Sequence, residues 1–272
     1  MKNILILTDF SNNSWNSITY ALSIFENQSC NFYLLNGLNS YEKNNIDVKN
    51  IDNQQHAFDT LLEKLNKEPL KGSHTFIPIK ENTDIIEAAR IQIKEKNINL
   101  LVIGTNGMSS NGRKNNISPI AEDIITKLKC SILVVPFEAR FDGIHKIAFP
   151  TDYTDFNEAK LLQNITPLLS IHKSVTNFVY MAKKSNKLNK EQRWNKETLQ
   201  DYFVNQPHSF HAEINENFEL SIENFIDKNS INLIVMAAKN LNLFEQILFR
   251  PQSKDISYYF KTPFLVLHKF KN

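Results

Sequence analysis

A stretch near the start of the chain, Lys2-Asn-Ile-Leu-Ile-Leu-Thr-Asp-Phe-Ser11, returns in altered form as His145-Lys-Ile-Ala-Phe-Pro-Thr-Asp-Tyr-Thr154. Paired without gaps, Thr8 meets Thr151, Asp9 meets Asp152 and Phe10 meets Tyr153. Further matches follow in the same order. Ile98-Asn-Leu-Leu-Val-Ile103 pairs with Ile231-Asn-Leu-Ile-Val-Met236, Asp123-Ile124 with Asp255-Ile256, and Cys130-Ser-Ile-Leu-Val-Val135 with Thr262-Pro-Phe-Leu-Val-Leu267. Collinear matches of this kind mean one pattern written twice. A chain of 272 residues gives each copy the length of an ordinary α/β domain, enough to bury its own core. The join falls among polar residues around Gly143, so the copies are read as residues 1–138 and 144–272.

Within the first copy, short apolar runs alternate with helical patterns. Ile4–Leu7, Phe32–Leu35, Thr75–Ile79, Leu100–Ile103 and Ile132–Val135 read as strands. Helices are expected over residues 13–26, 54–65, 83–96 and 119–128, the third capped by Thr83 or Asn82. Strands without polar alternation are buried on both faces, as in a parallel sheet covered by helices. Strands joined by helices in this way make a doubly wound α/β domain. The second copy repeats the pattern with more variation, and its lysine-rich segment 183–200 reads as a solvated helix.

Composition closes off several function classes. Basic and acidic residues number 31 and 29 and spread evenly over both copies, which gives no support to a nucleic-acid or membrane-surface protein. Only Ile4–Leu7 is apolar near the N-terminus, too short for a leader or for a membrane span of roughly 20 residues, so a cytoplasmic protein is expected. Cys30 and Cys130, the only cysteines, read as free buried thiols, with no disulfide framework and no metal cluster. His208 and His211 are the only close histidines and read as a solvent-facing pair.

Ligands in open parallel sheets sit beyond the carboxyl ends of the strands. Asp9 follows the first strand, and Gly104-Thr-Asn-Gly107 follows the fourth. Glycines let backbone N–H groups approach phosphate oxygens, and a carboxylate accepts from a ribose hydroxyl or a base amino group. Each feature also has a plain structural reading: Asp9 as a turn cap, the glycines as a tight turn. Together at one crevice, they point to a ligand site.

Ile6-Leu-Thr-Asp-Phe-Ser11, the glycine-led loop from Gly104 and Cys130-Ser-Ile-Leu-Val-Val-Pro136 resemble a universal stress protein domain, and both copies share the likeness. The resemblance is to the tandem members of that family. It implies two five-stranded parallel sheets of the adenine nucleotide alpha hydrolase type, each in strand order 3-2-1-4-5. It further implies that they pack as a pseudo-dimer through the edge strands Ile132–Val135 and Phe264–Leu267, with a homodimer as a further form. ATP or AMP is the implied ligand, with Mg arriving only alongside ATP. Thr8 and Asp9 would contact adenine or ribose, Gly37 would line the base pocket, and Ile103, Gly104, Gly107 and Ser118 would form the wall and phosphate loop. The family's loop reads Gly, two residues, Gly, nine residues, Gly, then Ser or Thr. Counting onward from Gly107 reaches Ile117-Ser118, whereas counting back from Cys130 aligns Ser118-Pro119 with that final pair. Either frame departs from the pattern, and a weak hold on a triphosphate tail is expected.

In the second copy Asp152 remains, but the fourth strand is followed by Ala237-Ala-Lys-Asn240 without glycine. Leu243, Phe244, Ile247, Leu248 and Phe249 beyond it suit packing, and Lys239, Arg250 and Lys254 read as surface charge, so this second site is expected to stay empty. Three function classes remain: a nucleotide-binding stress-response module, the same fold as a nucleotide-free interaction protein, and a weak ATPase. A phosphoryl-transfer enzyme needs a catalytic base, metal carboxylates or a Walker-type lysine, and none is placed at the crevice. A phosphoacceptor receiver domain needs an aspartate after the third strand and a lysine after the fifth. Here those strands end in Ile77-Pro-Ile-Lys80 and Pro136.

Overall fold

The computed structural model describes residues 1–38, 50–105, 119–155, 158–182, 187–214, 218–238 and 261–268. The chain divides into two compact units, Met1–Phe141 and Asp142–Asn272.

In the first unit the strands are β1 (Lys2–Leu7), β2 (Cys30–Leu38), β3 (His74–Asp84), β4 (Leu100–Thr105) and β5 (Ile132–Pro136). They pair in parallel in the order β3-β2-β1-β4-β5. Helices α1 (Asn12–Ile24), α2 (Asn50–Asn66), α3 (Ile85–Glu95) and α4 (Pro119–Lys127) make the crossovers. Ile4, Leu5 and Ile6 are consecutive and all fully buried, as are Leu101, Val102, Val134 and Val135. Burial of consecutive residues is the signature of a sheet covered on both faces.

The ends of β2 and β3 and the start of α3 differ from the sequence reading in a way that has a physical cause. Pairing of β2 with β3 continues past the apolar runs and through an irregularity at Asn36–Leu38, to Leu38 opposite Asp84. Residues 82 and 83 are therefore strand, and Asp84 caps α3, its Oδ1 accepting from Ile86 N at 3.0 Å and Glu87 N at 3.3 Å. An aspartate in extended backbone is as good a cap as the Thr83 or Asn82 expected.

The second unit has β6 (Lys146–Thr151), β7 (Val175–Ala182), β8 (His208–Ile214), β9 (Leu233–Ala237) and β10 (Phe264–Leu267). They pair in parallel as β8-β7-β6-β9-β10, the same order counted within the copy. The crossover after its first strand is broken into α5 (Glu158–Gln163) and α6 (Thr166–Ile171), with Pro167 in the first turn of α6. The other helices among the described residues are α7 (Lys190–Tyr202) and α8 (Phe218–Asn229). The solvated helix expected over 183–200 is α7, which begins later because Asn189 and Gln192 close a reciprocal capping box. Residues 183–186 lie outside the described residues.

The repeated Ile-Asn-Leu motif has a structural cause. Asn97 and Ser230, at the ends of α3 and α8, both adopt left-handed backbone, φ 48° and 54°. Ile98 N then bonds Ile93 O, and Ile231 N bonds Ile226 O, each at 3.1 Å, a helix-terminating arrangement. The next residue ties the entry of one strand to the start of another. Asn99 Oδ1 accepts from Asn3 N at 2.8 Å, and Asn232 Oδ1 accepts from Lys146 N at 3.0 Å.

Cys30 and Cys130 are free and buried. Burial pushes both thiols up, Cys130 to about 12. Among the described residues no helix is long and apolar enough to cross a membrane.

Candidate functional site

Beyond Leu7 the chain turns through Thr8, Asp9, Phe10 and Ser11 into α1. Phe10 holds a left-handed backbone at φ 62°, uncommon for a bulky residue. Its N–H donates to Thr8 Oγ1 at 3.0 Å, and that hydroxyl lies 3.1 Å from Ser14 Oγ. Asp9 Oδ1 accepts from Ser11 N at 3.0 Å and from Ser11 Oγ at 2.6 Å, while Ser11 Oγ caps α1 by accepting from Ser14 N. The Phe10 ring meets Phe58 of α2 edge-on, centroids 4.9 Å apart. The turn is thus stapled by its own side chains, with both N–H groups occupied. Asp9 is exposed, and no described residue bonds its second oxygen. A turn of this kind offers acceptors rather than donors, which suits hydroxyl or amino groups of a ligand better than phosphate.

β1 and β4 are neighbours, so their carboxyl ends share one side of the sheet. A Cβ at Gly104 would lie 2.9 Å from Asn13 O and 3.0 Å from the Asn13 carboxamide atoms. Asn13, in the first turn of α1, therefore packs directly over Gly104 and joins the Asp9 turn to the end of β4. Gly37 is also closely packed, though less tightly, toward the junction of β3 and α3. Its Cβ would come within 3.1 Å of Ile85 Cδ1 and 3.2 Å of Thr83 O. Ile103 is a core residue of β4, opposite Val134. Thr8, Asp9 and Gly104 thus gather around the start of α1, whereas Gly37 and Ile103 are held by packing. Gly107 and Ser118 lie outside the described residues, as does the rest of 106–118.

Two carboxamides at this crevice escaped the sequence reading. Asn36 Nδ2 donates to Thr8 O at 2.7 Å, and Gln54 of α2 donates through Nε2 to Asn36 Oδ1. The available signal was a polar residue closing an apolar strand just before Gly37.

The second unit repeats the turn and then covers it. Tyr153 has φ 58°, its N–H donates to Thr151 Oγ1 at 2.9 Å, and Asp152 Oδ1 accepts from Thr154 N and Oγ1. Thr151 Oγ1 donates to Glu158 Oε2 at 2.6 Å, and the Glu158 residue is only 1% exposed. Tyr153 is buried and stacks on Tyr180, centroids 5.3 Å apart, and burial, then the Glu158 charge, push its phenol well up. From α7, Gln192 Nε2 donates to Asp152 O at 2.8 Å and Asn195 Nδ2 to Tyr153 O at 2.7 Å. Here the helix reaches the turn directly. Lys239, Asn240, Leu243, Phe244, Ile247, Leu248, Phe249, Arg250 and Lys254 lie outside the described residues.

The histidine pair is not solvent-facing. His208 and His211 are half-buried and three apart on β8, a spacing that puts them on opposite faces of the strand. His208 Nδ1 sits 2.8 Å from Gln206 O, and His211 Nε2 sits 2.8 Å from Ser209 Oγ and 3.2 Å from Asn177 Oδ1. No group of three or more metal-ligating side chains occurs among the described residues.

Comparison with known proteins places this geometry. No curated relative matches the chain in sequence. Among solved structures, a universal stress protein from Archaeoglobus fulgidus matches with TM-score 0.69 and 11% identity, over 97% of each chain. A putative universal stress protein from Pseudomonas aeruginosa matches with TM-score 0.61 and 13% identity, over 98% of this chain and 93% of that one. A functionally unknown protein from the same organism gives TM-score 0.60 and 12% identity, with coverage of 98% and 92%. At these identities the likeness shows the fold. The model of the universal stress protein family matches residues 1–136, and the chain belongs to that family.

Proposed function

We propose that the chain is a non-enzymatic stress-response module whose first unit binds an adenine nucleotide, while the crevice of its second unit binds none. The observation that carries this is the Asp9 turn, where one carboxylate oxygen is spent on the turn and the residue is exposed beyond the carboxyl end of β1. An acceptor so placed suits the vicinal hydroxyls of a ribose. The second unit argues the contrast, because two α7 carboxamides bond the Asp152 and Tyr153 carbonyls and Tyr153 is buried against Tyr180. Binding rather than turnover is the reading because, among the described residues, Asp9 stands without a partnered base or a second carboxylate. A triphosphate would bring its own Mg. The free buried thiols suit a reducing, cytoplasmic setting.

A nucleotide-free interaction protein is the second reading, and one observation favours it: Asp9 and Gly104 each have a structural task, turn cap and helix contact, that needs no ligand. Calorimetric titration of ATP, AMP and adenosine separates the two. The first reading expects one site per chain, with ATP and AMP dissociation constants within about tenfold because the adenosine end carries the contacts. Absence of binding by all three favours the second.

A further inference from the structure

We propose that β8 is an interface through which two molecules of this chain pair edge to edge, antiparallel, about a two-fold axis at His211. The inference is independent of nucleotide binding. β8 ends the strand order of the second unit and bonds β7 on one side. Both of its faces are covered, since Lys196 of α7 lies over the Phe210 ring and Phe225 of α8 meets the His211 ring edge-on. What stays open is the backbone. Thr176 N of β7 donates to Pro207 O at 2.9 Å, which turns the backbone groups of Ser209, His211 and Glu213 toward β7 as well. Those of His208, Phe210, Ala212 and Ile214 therefore point outward, and no described residue bonds them. Edge strands are ordinarily guarded by proline, lysine or other charge. β3, which ends the order of the first unit, carries Pro78, Lys80 and Glu81. β8 has neither proline nor lysine, and its last residue, Ile214, is 49% exposed.

Any extended segment supplies alternating backbone groups, so register and side chains choose the partner. Antiparallel strands exchange both backbone bonds at alternate residue pairs. With the axis on His211, Phe210 bonds Ala212 of the partner molecule and His208 bonds its Ile214, so the whole strand is used. A register centred on Phe210 or Ala212 also engages outward groups but leaves one end of β8 unpaired. The side chains agree with the His211 axis. His208, Phe210, Ala212 and Ile214 share one face, where Ile214 meets the partner's His208 and Phe210 its Ala212. On the other face is Glu213, which makes no hydrogen bond or ion pair among the described residues. It comes opposite the partner's Ser209 and diagonal to its His211, an acceptor against groups that can donate. Burial lowers the His211 pKa, so the two rings that meet on the axis are neutral. A two-fold contact of this kind closes on itself and stops at two molecules.

The test is analytical ultracentrifugation of the full chain as wild type, Ala212→Pro and Glu213→Lys, with thermal melts to establish folding. Amide hydrogen exchange of wild type at low and high protein concentration accompanies it. Proline at position 212 removes an N–H that points away from β7, so the β7–β8 ladder stays whole. The expected result is a wild-type dimer whose dissociation constant rises at least about tenfold in Ala212→Pro and also rises in Glu213→Lys. As wild type dimerises, exchange should slow at the Phe210, Ala212 and Ile214 amides and change little at His211 and Glu213, which already bond β7. A monomeric wild type overturns the proposal and leaves the edge to a strand of another protein. A dimer equally strong in both variants, or one without the alternating protection, overturns it by placing the contact elsewhere. Assembly beyond the dimer overturns it too, because β8 laid on β3 of the next molecule is a head-to-tail contact that does not close. Should Ala212→Pro not fold, Glu213→Lys and the exchange pattern decide.

Discussion

Phe10 and Tyr153 occupy the same backbone conformation, φ 62° and 58°, and each donates its N–H to the hydroxyl of a threonine two residues earlier. Duplication has thus preserved a strained turn as well as a sequence. The threonine differs in what else it holds, since Thr8 contacts Ser14, whereas Thr151 donates to the buried Glu158. Replacing either threonine by valine removes the acceptor that supports the turn. Thr151→Val also strips a buried carboxylate of a donor. We expect losses of about 1–3 kcal/mol, larger for Thr151→Val, read from denaturant unfolding of the full chain. Equal or negligible losses would contradict the assigned roles.

The Asn99 and Asn232 side chains each accept a backbone N–H at the start of the neighbouring strand. Asn99→Ala should cost about 0.5–1.5 kcal/mol and speed hydrogen exchange at Asn3 N, with the matching effect at Lys146 N for Asn232→Ala. Unchanged exchange at these amides would mean that the repeated Ile-Asn-Leu is kept for its apolar residues alone.

Gly104 faces backbone at 2.9 Å, so even alanine must displace the start of α1. Gly104→Ala is expected to destabilise the chain by about 1–3 kcal/mol without any ligand, and Gly104→Val to abolish nucleotide binding. Ala237→Val, at the corresponding end of β9, should leave that binding intact. A Gly104→Ala protein as stable as wild type would remove the packing role given to this glycine.

Much of the architecture was legible because it is carried by local pattern. Apolar runs such as Ile4–Leu7 and Ile132–Val135 mark strands buried on both faces, and the repeat announced a second unit with the same order. The site was legible only in part. The Asp9 turn could be read as a cap, but a left-handed phenylalanine could not, because bulky residues seldom adopt that backbone. Asn36, Gln54, Gln192 and Asn195 look like ordinary polar residues in sequence, and their partners lie 18 to 42 positions away. His208 and His211 misled because closeness in sequence was taken as a shared face, which a strand denies to residues three apart. Gly107 and Ser118, on which the phosphate loop was counted, fall outside the described residues.

The Cys130 thiol gives a prediction in pH. Burial raises its pKa in the folded protein from 9.0 to about 12, so the fold favours the protonated form. Its contribution is fully present below pH 9 and is lost as pH rises from there through about 12, because the unfolded chain releases the proton first. Cys130→Ala should therefore show a shallower alkaline decline than wild type in unfolding measured from pH 8 to 11. Parallel declines would place the thiol in contact with solvent.

The central claim is that one crevice binds and the other does not. Calorimetric titration of AMP into wild type, Asp9→Ala and Asp152→Ala tests it most directly. We predict one site per chain in wild type, loss of binding in Asp9→Ala and unchanged binding in Asp152→Ala. Binding weakened equally by both substitutions, or two sites per chain, would contradict it.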